Sequence, residues 1–396
     1  MRVLVAVDNS FFSDVRVTKE CRVLAELADV HVVHFDFGTR TDEQTLPVIS
    51  HPIHIRKKWK DAMFLVFNTF PLYEWYWTYF LLKKIKELNP QVLHVHDLYM
   101  AKSARKAILK SQQQVKLVLD LHENFPEAIR SYNWTKGWLR SRLVQPLKWL
   151  SKEEEYLSYA DQIIVLSEGY KSLLLDRYNK TFRPEQLTVY PNVVDTEEFS
   201  KYTVQLDAQK KPGVTLLYFG GVAERRGIFE TINALRELLN EQLPANLLII
   251  GPLDEADKQR FFHMISQPDV ASAIEYIPWI ELHELPTYMH LSDICLAPFH
   301  KNPQHESGIA NKLFQYMFGG KPIVASNCKP QQELIEEAEC GLVFSNQTEY
   351  VSALRMLILD DAARSTMGEN GKRTLMEKYS GPKFNEVLTN LYRKFV

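Results

Sequence analysis

Three stretches of the chain concentrate side chains able to do chemistry. The first, ESGIANKLFQYMFGGKPIVAS, places Glu306 and the small residues Ser307 and Gly308 ahead of a helical run from Asn311 to Phe318. A helix entered from such a loop leaves backbone N–H groups and the positive end of its dipole open to an anion such as phosphate. Lys312 adds a cation there, and Gln315 lies one turn beyond Asn311, so that both can face one ligand. The second, FGGVAERRGIFETINAL, follows a strand with Gly220 and Gly221, then Arg225 and Arg226 before an amphipathic helix. Glycine admits a phosphate close to the backbone and a guanidinium supplies a fixed charge. The spacing is neither a dinucleotide fingerprint nor a P-loop.

The third stretch, DLHENFPE, puts His122 and Glu123 directly after a strand. An imidazole beside a carboxylate there can hold a proton or contact a substrate hydroxyl. His94, His96 and Asp97 suggest a metal, but the two histidines share one side of a strand with buried neighbours, and no further cluster completes a site. No Asp-x-Asp pair is present to hold a divalent ion on a diphosphate. Neither a metal nor an organic cofactor is expected.

These residues need a scaffold that gathers strand ends. Short apolar runs alternate with helical patterns along the chain: Val3–Val7, Val30–His34, Val92–His96, Leu117–Leu121 and Ile163–Leu166, then Leu216–Phe219, Leu247–Ile250, Ile274–Ile277, Ile294–Ala297, Ile323–Ala325 and Leu342–Phe344. Helical patterns include Asp14–Leu27 and Trp149–Tyr159. That alternation predicts α/β architecture, with two Rossmann-like domains of parallel sheet; if their strand-end edges face one another, they enclose a cleft. The expected divisions are a first domain over 1–195, a linker over 196–212, a second domain over 213–380 and a last helix over 381–396 that can pack back on the first. Ligands of open parallel sheets bind beyond the carboxyl ends of the strands. In the first domain those ends carry Asp8, Asn9, Asp97, His122 and Glu123; in the second they are rich in glycine.

Composition sets the outer limits. A chain of 396 residues, 45% hydrophobic and 24% charged, suits two soluble domains. A formal net charge of −2 argues against general nucleic-acid affinity. Cys21, Cys295, Cys328 and Cys340 have no metal or disulfide spacing and read as reduced thiols of a cytoplasmic protein. The opening MRVLVAVDNS reads as a buried strand rather than a secretion signal. Residues 63–82, MFLVFNTFPLYEWYWTYFLL, are crowded with aromatics and flanked by lysines, but Asn68, Pro71 and Glu74 exclude a membrane span. Two readings stand for this stretch: a loop and a buried helix from about Tyr73 to Leu88, or a surface that touches the inner face of the membrane peripherally through Phe70, Trp75 and Trp77.

The order of the pieces resembles a known family. DVRVTKECRVLAELADVHVV, PQVLHVHD, DLHENFPE, ADQIIVLSEGY, YPNVVDTEEF, LLYFGGVAERRGI, LPTYMHLSDICLAPF and NKLFQYMFGGKPIVAS together resemble the retaining GT-B glycosyltransferases of the group 1 kind. The resemblance implies parallel sheets facing each other across a cleft, with a nucleotide-diphosphate sugar as donor, bound mainly by the second domain, and a glycan or lipid-linked acceptor held by the first. It implies donor contacts from Gly220, Gly221, Glu306, Ser307, Gly308, Asn311, Lys312 and Gln315, and catalytic roles for His122, Arg226 and Arg225. Asn9, Asp14, Arg16, Asp97 and Glu123 fall on the acceptor side. Two departures stand out. Ser307 and Gln315 occupy the places of the family's paired glutamates, and Gly221 replaces an arginine of the glycine turn. They leave open a non-catalytic module that binds a partner glycosyltransferase or a glycan; a nucleotide-sugar epimerase on the same architecture is a further alternative.

Overall fold

The computed structural model describes residues 1–38, 46–132, 135, 137–205 and 209–395. The chain divides into two compact units, one of Met1–Pro191 with Phe384–Val396 and one of Asn192–Lys383. The crossing thus comes after Pro191, earlier than the sequence suggests, and the stretch read as a linker opens with a short helix. Residues 206–208 of that stretch lie outside the described residues.

The first unit is a seven-stranded parallel sheet. Its strands are β1 (Arg2–Val7), β2 (Asp29–Asp36), β3 (Ile49–His54), β4 (Val92–His96), β5 (Lys116–Asp120), β6 (Gln162–Val165) and β7 (Leu187–Val189), in the order β3-β2-β1-β4-β5-β6-β7. The helices are α1 (Val15–Ala25), α2 (Lys57–Leu65), α3 (Leu72–Leu88), α4 (Ala101–Ser111), α5 (Phe125–Ser131), α6 (Trp138–Val144), α7 (Lys148–Leu157) and α8 (Glu168–Arg177).

Helices cover both faces of the sheet, so β1 reads as an unbroken apolar run. Val3 and Val5 point to one face, with Val92 and Val118, while Leu4 and Ala6 point to the other. Strand β3 was not expected: it holds Pro52 and three polar residues, a composition an edge strand tolerates because one side of its ladder is open. Along α3, Tyr73, Trp77, Leu81 and Ile85 are fully buried at helical spacing, which removes Trp77 from any surface role. Phe70, Trp75 and Tyr79 remain exposed. Among the described residues no helix is long and apolar enough to cross a membrane.

The second unit is a six-stranded parallel sheet ordered β10-β9-β8-β11-β12-β13. Its elements run α9 (Thr196–Phe199), β8 (Val214–Phe219), α10 (Ile228–Asn240), β9 (Ala245–Ile250), α11 (Lys258–Ile265), β10 (Ile274–Ile277), α12 (Leu285–His290) and β11 (Ile294–Ala297). They continue with α13 (Asn311–Phe318), β12 (Ile323–Ser326), α14 (Lys329–Ala338), β13 (Gly341–Phe344), α15 (Gln347–Leu359) and α16 (Asp361–Lys378). Helix α17 (Gly381–Arg393) then returns to the first unit, where Leu388, Leu391 and Tyr392 join Val3, Val5, Val17 and Cys21 in one buried cluster. Gly227 starts α10 at φ = 76° and a Cβ there would fall 1.8 Å from Pro298 O, so only glycine lets this turn sit against the end of β11.

Candidate active site

At the carboxyl edge of the first sheet a cavity of about 460 Å³ is lined by Asn9, Asp14, Asp97, His122 and Glu123, together with Asp8 and Lys60. Asp8 directly follows β1 and accepts hydrogen bonds from Tyr73 Oη (2.5 Å) and Tyr99 Oη (2.9 Å), with Lys60 Nζ at 3.2 Å. Asp97 follows β4 in a backbone conformation of φ = 71° and ψ = 141°, a costly region for a residue with a Cβ. Tyr99 Oη also lies 3.0 Å from Asp97 Oδ2. One phenolic proton cannot serve two carboxylates, so the arrangement favours a proton on one of them. Burial, with Asp8 and Glu123 adding to it, pushes the Asp97 carboxyl up to about 7.

His122 is anchored from behind. Its Nε2 lies 2.9 Å from His96 Nδ1 and 3.3 Å from Asp120 Oδ2. Burial opposes a charged imidazole, but the Asp120 carboxylate outweighs it and pushes His122 up to about 10. Arg16, expected on the acceptor side, is instead buried beneath this edge. Its Nε and Nη2 donate to both oxygens of Asp120 (2.9 and 2.8 Å) and its Nη1 to Tyr190 O (3.1 Å).

The reading that no cluster completes a metal site with His94 and His96 also needs correction. Glu20, His94, His96 and Asp120 bring ligand atoms within 4.8 Å of one another, all buried. They meet because α1 lies over β4 and β5, whose register sets His96 opposite Asp120. The donor set does not suit a divalent ion, since Arg16 already occupies Asp120 and stands 3.0 Å from Glu20 Oε1. A metal would share its carboxylates with a guanidinium in a dry core.

The second edge has the opposite character. Gly220 adopts φ = 107°, and the Arg226 guanidinium lies over the glycine turn, 3.6 Å from where a Cβ on Gly221 would be. Arg225 turns away to Asp254, at 3.3 Å. Lys312, in the first turn of α13, is buried with its Nζ 4.9 Å from the Tyr218 ring centroid and 4.6 Å from that of Phe299. Burial first, and then Arg226, hold its ammonium well below the usual lysine range. Helix α13 is preceded by Ala310, which has no side-chain acceptor for the first amides. Asn311 Oδ1 is buried without a hydrogen-bond partner. Gln315 is buried one turn on.

The loop residues before α13 are turned inward. Ser307 Oγ donates to Pro303 O (2.6 Å), and Glu306 Oε1 accepts from the Lys329 amide at the start of α14 (2.8 Å), so neither of those oxygens is aimed at a ligand as the sequence suggested. Gly308 lies in the same loop. Sequence reasoning passed over His305, which donates from Nδ1 to His300 O (2.7 Å) and is pushed down to about 4 by burial, and His300, which pairs with Glu230 at 3.0 Å. No periodicity marks either histidine; only the loop between β11 and α13 brings them to this edge.

Known proteins match both units. Residues 204–374 match the family model described as "Glycosyl transferases group 1", and residues 14–198 that described as "Glycosyltransferase Family 4". The capsular polysaccharide biosynthesis glycosyltransferase CapM of Staphylococcus aureus is 21% identical over 256 residues, 60% of this chain and 62% of CapM. The chain spans about half to three-fifths of the length of the curated relatives it matches first. Among solved structures, the sucrose-phosphate synthase of Thermosynechococcus elongatus superposes over 100% of this chain and 98% of its own, with a TM-score of 0.76 and 16% identity. An Escherichia coli structure described as trehalose-6-phosphate bound with UDP-2-fluoro glucose covers 100% and 99%, with a TM-score of 0.73 and 13% identity. Both show the same fold of two Rossmann-like domains. The group 1 model matched to the second unit and the Family 4 model matched to the first together cover most of the chain with glycosyltransferase families, on a GT-B fold.

Proposed function

We propose that the protein transfers a sugar from a nucleoside-diphosphate sugar to a hydroxyl of a glycan or lipid-linked acceptor, with retained configuration and no metal. The observation that carries this reading is Lys312: a buried ammonium held against two rings and a like charge, Arg226, at the start of a helix whose first amides lack a side-chain cap. Lys312 is buried and Arg226 half-buried, and holding two cations side by side is unfavourable unless an anion joins them. A diphosphate fits that demand. As the bond from the anomeric carbon to the diphosphate oxygen breaks, its electron pair stays on the leaving oxygen, where Arg226, Lys312 and the α13 amides offset the growing charge. The acceptor oxygen bonds to the anomeric carbon and its proton passes to the diphosphate. His122 contacts the transferred sugar, and Asp97 with Asp8 accepts hydrogen bonds from the acceptor. Gln315 and Asn311 serve the ribose side, Gln315 as a neutral partner. The E. coli structure with a bound UDP sugar supports the donor class.

The first test is a thermal-shift series with nucleoside diphosphates and nucleotide sugars, since a ligand of the native state alone raises its apparent stability. Donor turnover in the presence of a chelator follows. A shift without transfer to any acceptor favours a binding module; loss of turnover restored by magnesium or manganese rejects the metal-free reading.

A membrane-facing acceptor fits the surface of the first unit. Helix α2 buries none of its residues and α6 only Val144, and the segment after α2 is tied to α6 through Asn68 Nδ2 donating to Val144 O (2.6 Å). Around them Trp59, Phe70, Leu72, Trp75, Trp138 and Leu139 are exposed, and Lys57, Lys58, Arg140 and Arg142 lie among them. Aromatic side chains interleaved with cations suit the interface of an anionic bilayer.

A further inference from the structure

Deeper in the first unit lies a buried polar chain that the transfer reaction itself does not call on. It begins at Tyr190, one residue ahead of Pro191 where the first unit hands over to the second; the Tyr190 carbonyl accepts from Arg16 Nη1 and its ring stacks under that guanidinium at 5.3 Å. Arg16 grips both oxygens of Asp120. Asp120 Oδ2 lies 3.4 Å from His96 Nδ1 and 3.3 Å from His122 Nε2, and those two nitrogens lie 2.9 Å apart. The His96 ring stacks on His94, with centroids 4.5 Å apart, and His94 Nδ1 is bonded at 2.6 Å to the hydroxyl of Tyr392 on α17.

We propose that Asp120, clamped by Arg16, and His96 are positioning residues that hold His122 doubly protonated, with Nε2–H turned inward and Nδ1–H presented to the cavity as a charged donor. The inference rests on the proposed role of His122 toward the transferred sugar.

Hydrogen-bond inventory leads to this assignment. His122 Nε2 faces two acceptors, a carboxylate oxygen and a ring nitrogen, and satisfies both as a donor. His96 then accepts through Nδ1 and is neutral, in keeping with burial lowering its proton affinity. The opposite arrangement, with His96 Nδ1–H facing both Asp120 and a neutral His122, would turn an unprotonated nitrogen of His122 toward the Asp120 carboxylate 3.3 Å away. Other charges reach His122 as well. Asp97 after β4 adds to the attraction, while Arg16 on α1 opposes it. Asp14 and Glu123 line the same cavity, with Lys57 and Lys60 from α2. Glu20, beside Asp120 and deeply buried, is held well above the usual carboxylate range by burial and by Asp120, while Arg16 and His122 oppose that shift. A fixed imidazolium at this edge supplies a donor whose charge does not depend on pH across the physiological range.

The test reads the proton directly. With the ring carbons of the 12 histidines labelled, His122 is assigned by the signal lost in His122→Gln, and its titration is followed by NMR in the full chain without ligand. The expected result is an imidazolium that persists above pH 8 and a midpoint lowered by more than about one pH unit in Asp120→Asn. A wild-type midpoint near the ordinary 6.5, or an Asp120→Asn midpoint equal to wild type, overturns the proposal. If Asp120→Asn does not fold, His96→Gln replaces it: the wild-type titration still decides the protonation state, and loss of the Nε2-bound proton signal of His122 in His96→Gln decides the orientation. The kinetic counterpart is the pH profile. Asp120→Asn should lose kcat as pH rises from 6 to 8 while wild type does not; parallel profiles in the two proteins also overturn the proposal. A persistent imidazolium in a protein that transfers no sugar leaves the relay standing and rejects the proposed function instead.

Discussion

The two strand-end edges are built on the same architecture and have opposite electrostatics. In the first unit carboxylates outnumber cations around the cavity, and phenols, lysine or arginine hold most of them: Asp8, Asp97 and Asp120 all have partners within 3.3 Å. In the second unit Arg226 and Lys312 repel each other, and the Lys312 ammonium lies against the Tyr218 and Phe299 rings. A satisfied network is already complete and serves to orient a neutral ligand through hydrogen bonds. An edge with unfavourable charge stores energy that an anionic ligand releases, so it selects strongly for charge. Under the proposed function, the contrast suits a hydroxyl-rich acceptor at one edge and a diphosphate at the other.

The comparison breaks most readily at Lys312. Lys312→Met should lower donor turnover by about 100-fold or more, because the lost charge acts on the leaving group. The same change should leave the thermal midpoint unchanged or higher, since it removes a buried like charge; a variant that is both active and less stable would make Lys312 a structural residue. Arg226→Ala should reduce kcat by a comparable factor, and near-normal turnover with Arg225 intact would move the role to Arg225.

A smaller effect, roughly 10-fold, is expected at Asp97. Asp97→Asn should raise the acceptor KM and leave the donor KM alone. In wild type the acceptor KM should fall as pH rises through about 7, where the Asp97 carboxyl ionises, and this limb should vanish in the variant. Gln315 sharpens the donor side: Gln315→Leu should weaken donor binding by roughly 1–3 kcal/mol by stranding a ribose hydroxyl, and Gln315→Glu should preserve it, as read by calorimetry. Unchanged affinity in the Leu variant would remove α13's second turn from the site.

The smallest effect concerns location. Wild-type protein should float with anionic liposomes at low salt, and Trp138→Ser with Trp75→Ser should weaken the salt-resistant part of that binding. No flotation at low salt would leave the exposed aromatics of α2, α3 and α6 unexplained by lipid.

How far the sequence revealed this depends on the range over which each feature is encoded. Strands such as Val92–His96 and Ile294–Ala297 are legible because a buried parallel strand is a local run of apolar residues. Strand β3, with Pro52, carries no such run and was missed. The glycine turn and the start of α13 were legible as a turn and a helix start because loop and helix are contiguous in sequence. The direction of Glu306 and Ser307 was not, since it depends on α14 and on the fold of their own loop. Arg16 shows the limit most clearly. It sits in a motif shared with the family, which points to the correct domain, but its partner Asp120 lies 104 residues away, and only the packing of α1 on β5 turns its side chain into the core.

Helix α17 gives the chain an unusual order of assembly. Roughly 190 residues separate Pro191 from Phe384, yet both belong to the first unit, so the second unit is an insertion within it. A ribosome therefore delivers the whole parallel sheet of the first unit before the helix that covers Val3, Val5 and His94. Until then one face of β1 and β4 stays open and His94 lacks its phenol. Closing so long a loop costs only a few kcal/mol if the insert is unstructured, and less once it has folded and brought its own ends together. Translation thus favours completion of the second unit first, followed by α17, with Tyr190 packing on Phe384 where the chain leaves and returns.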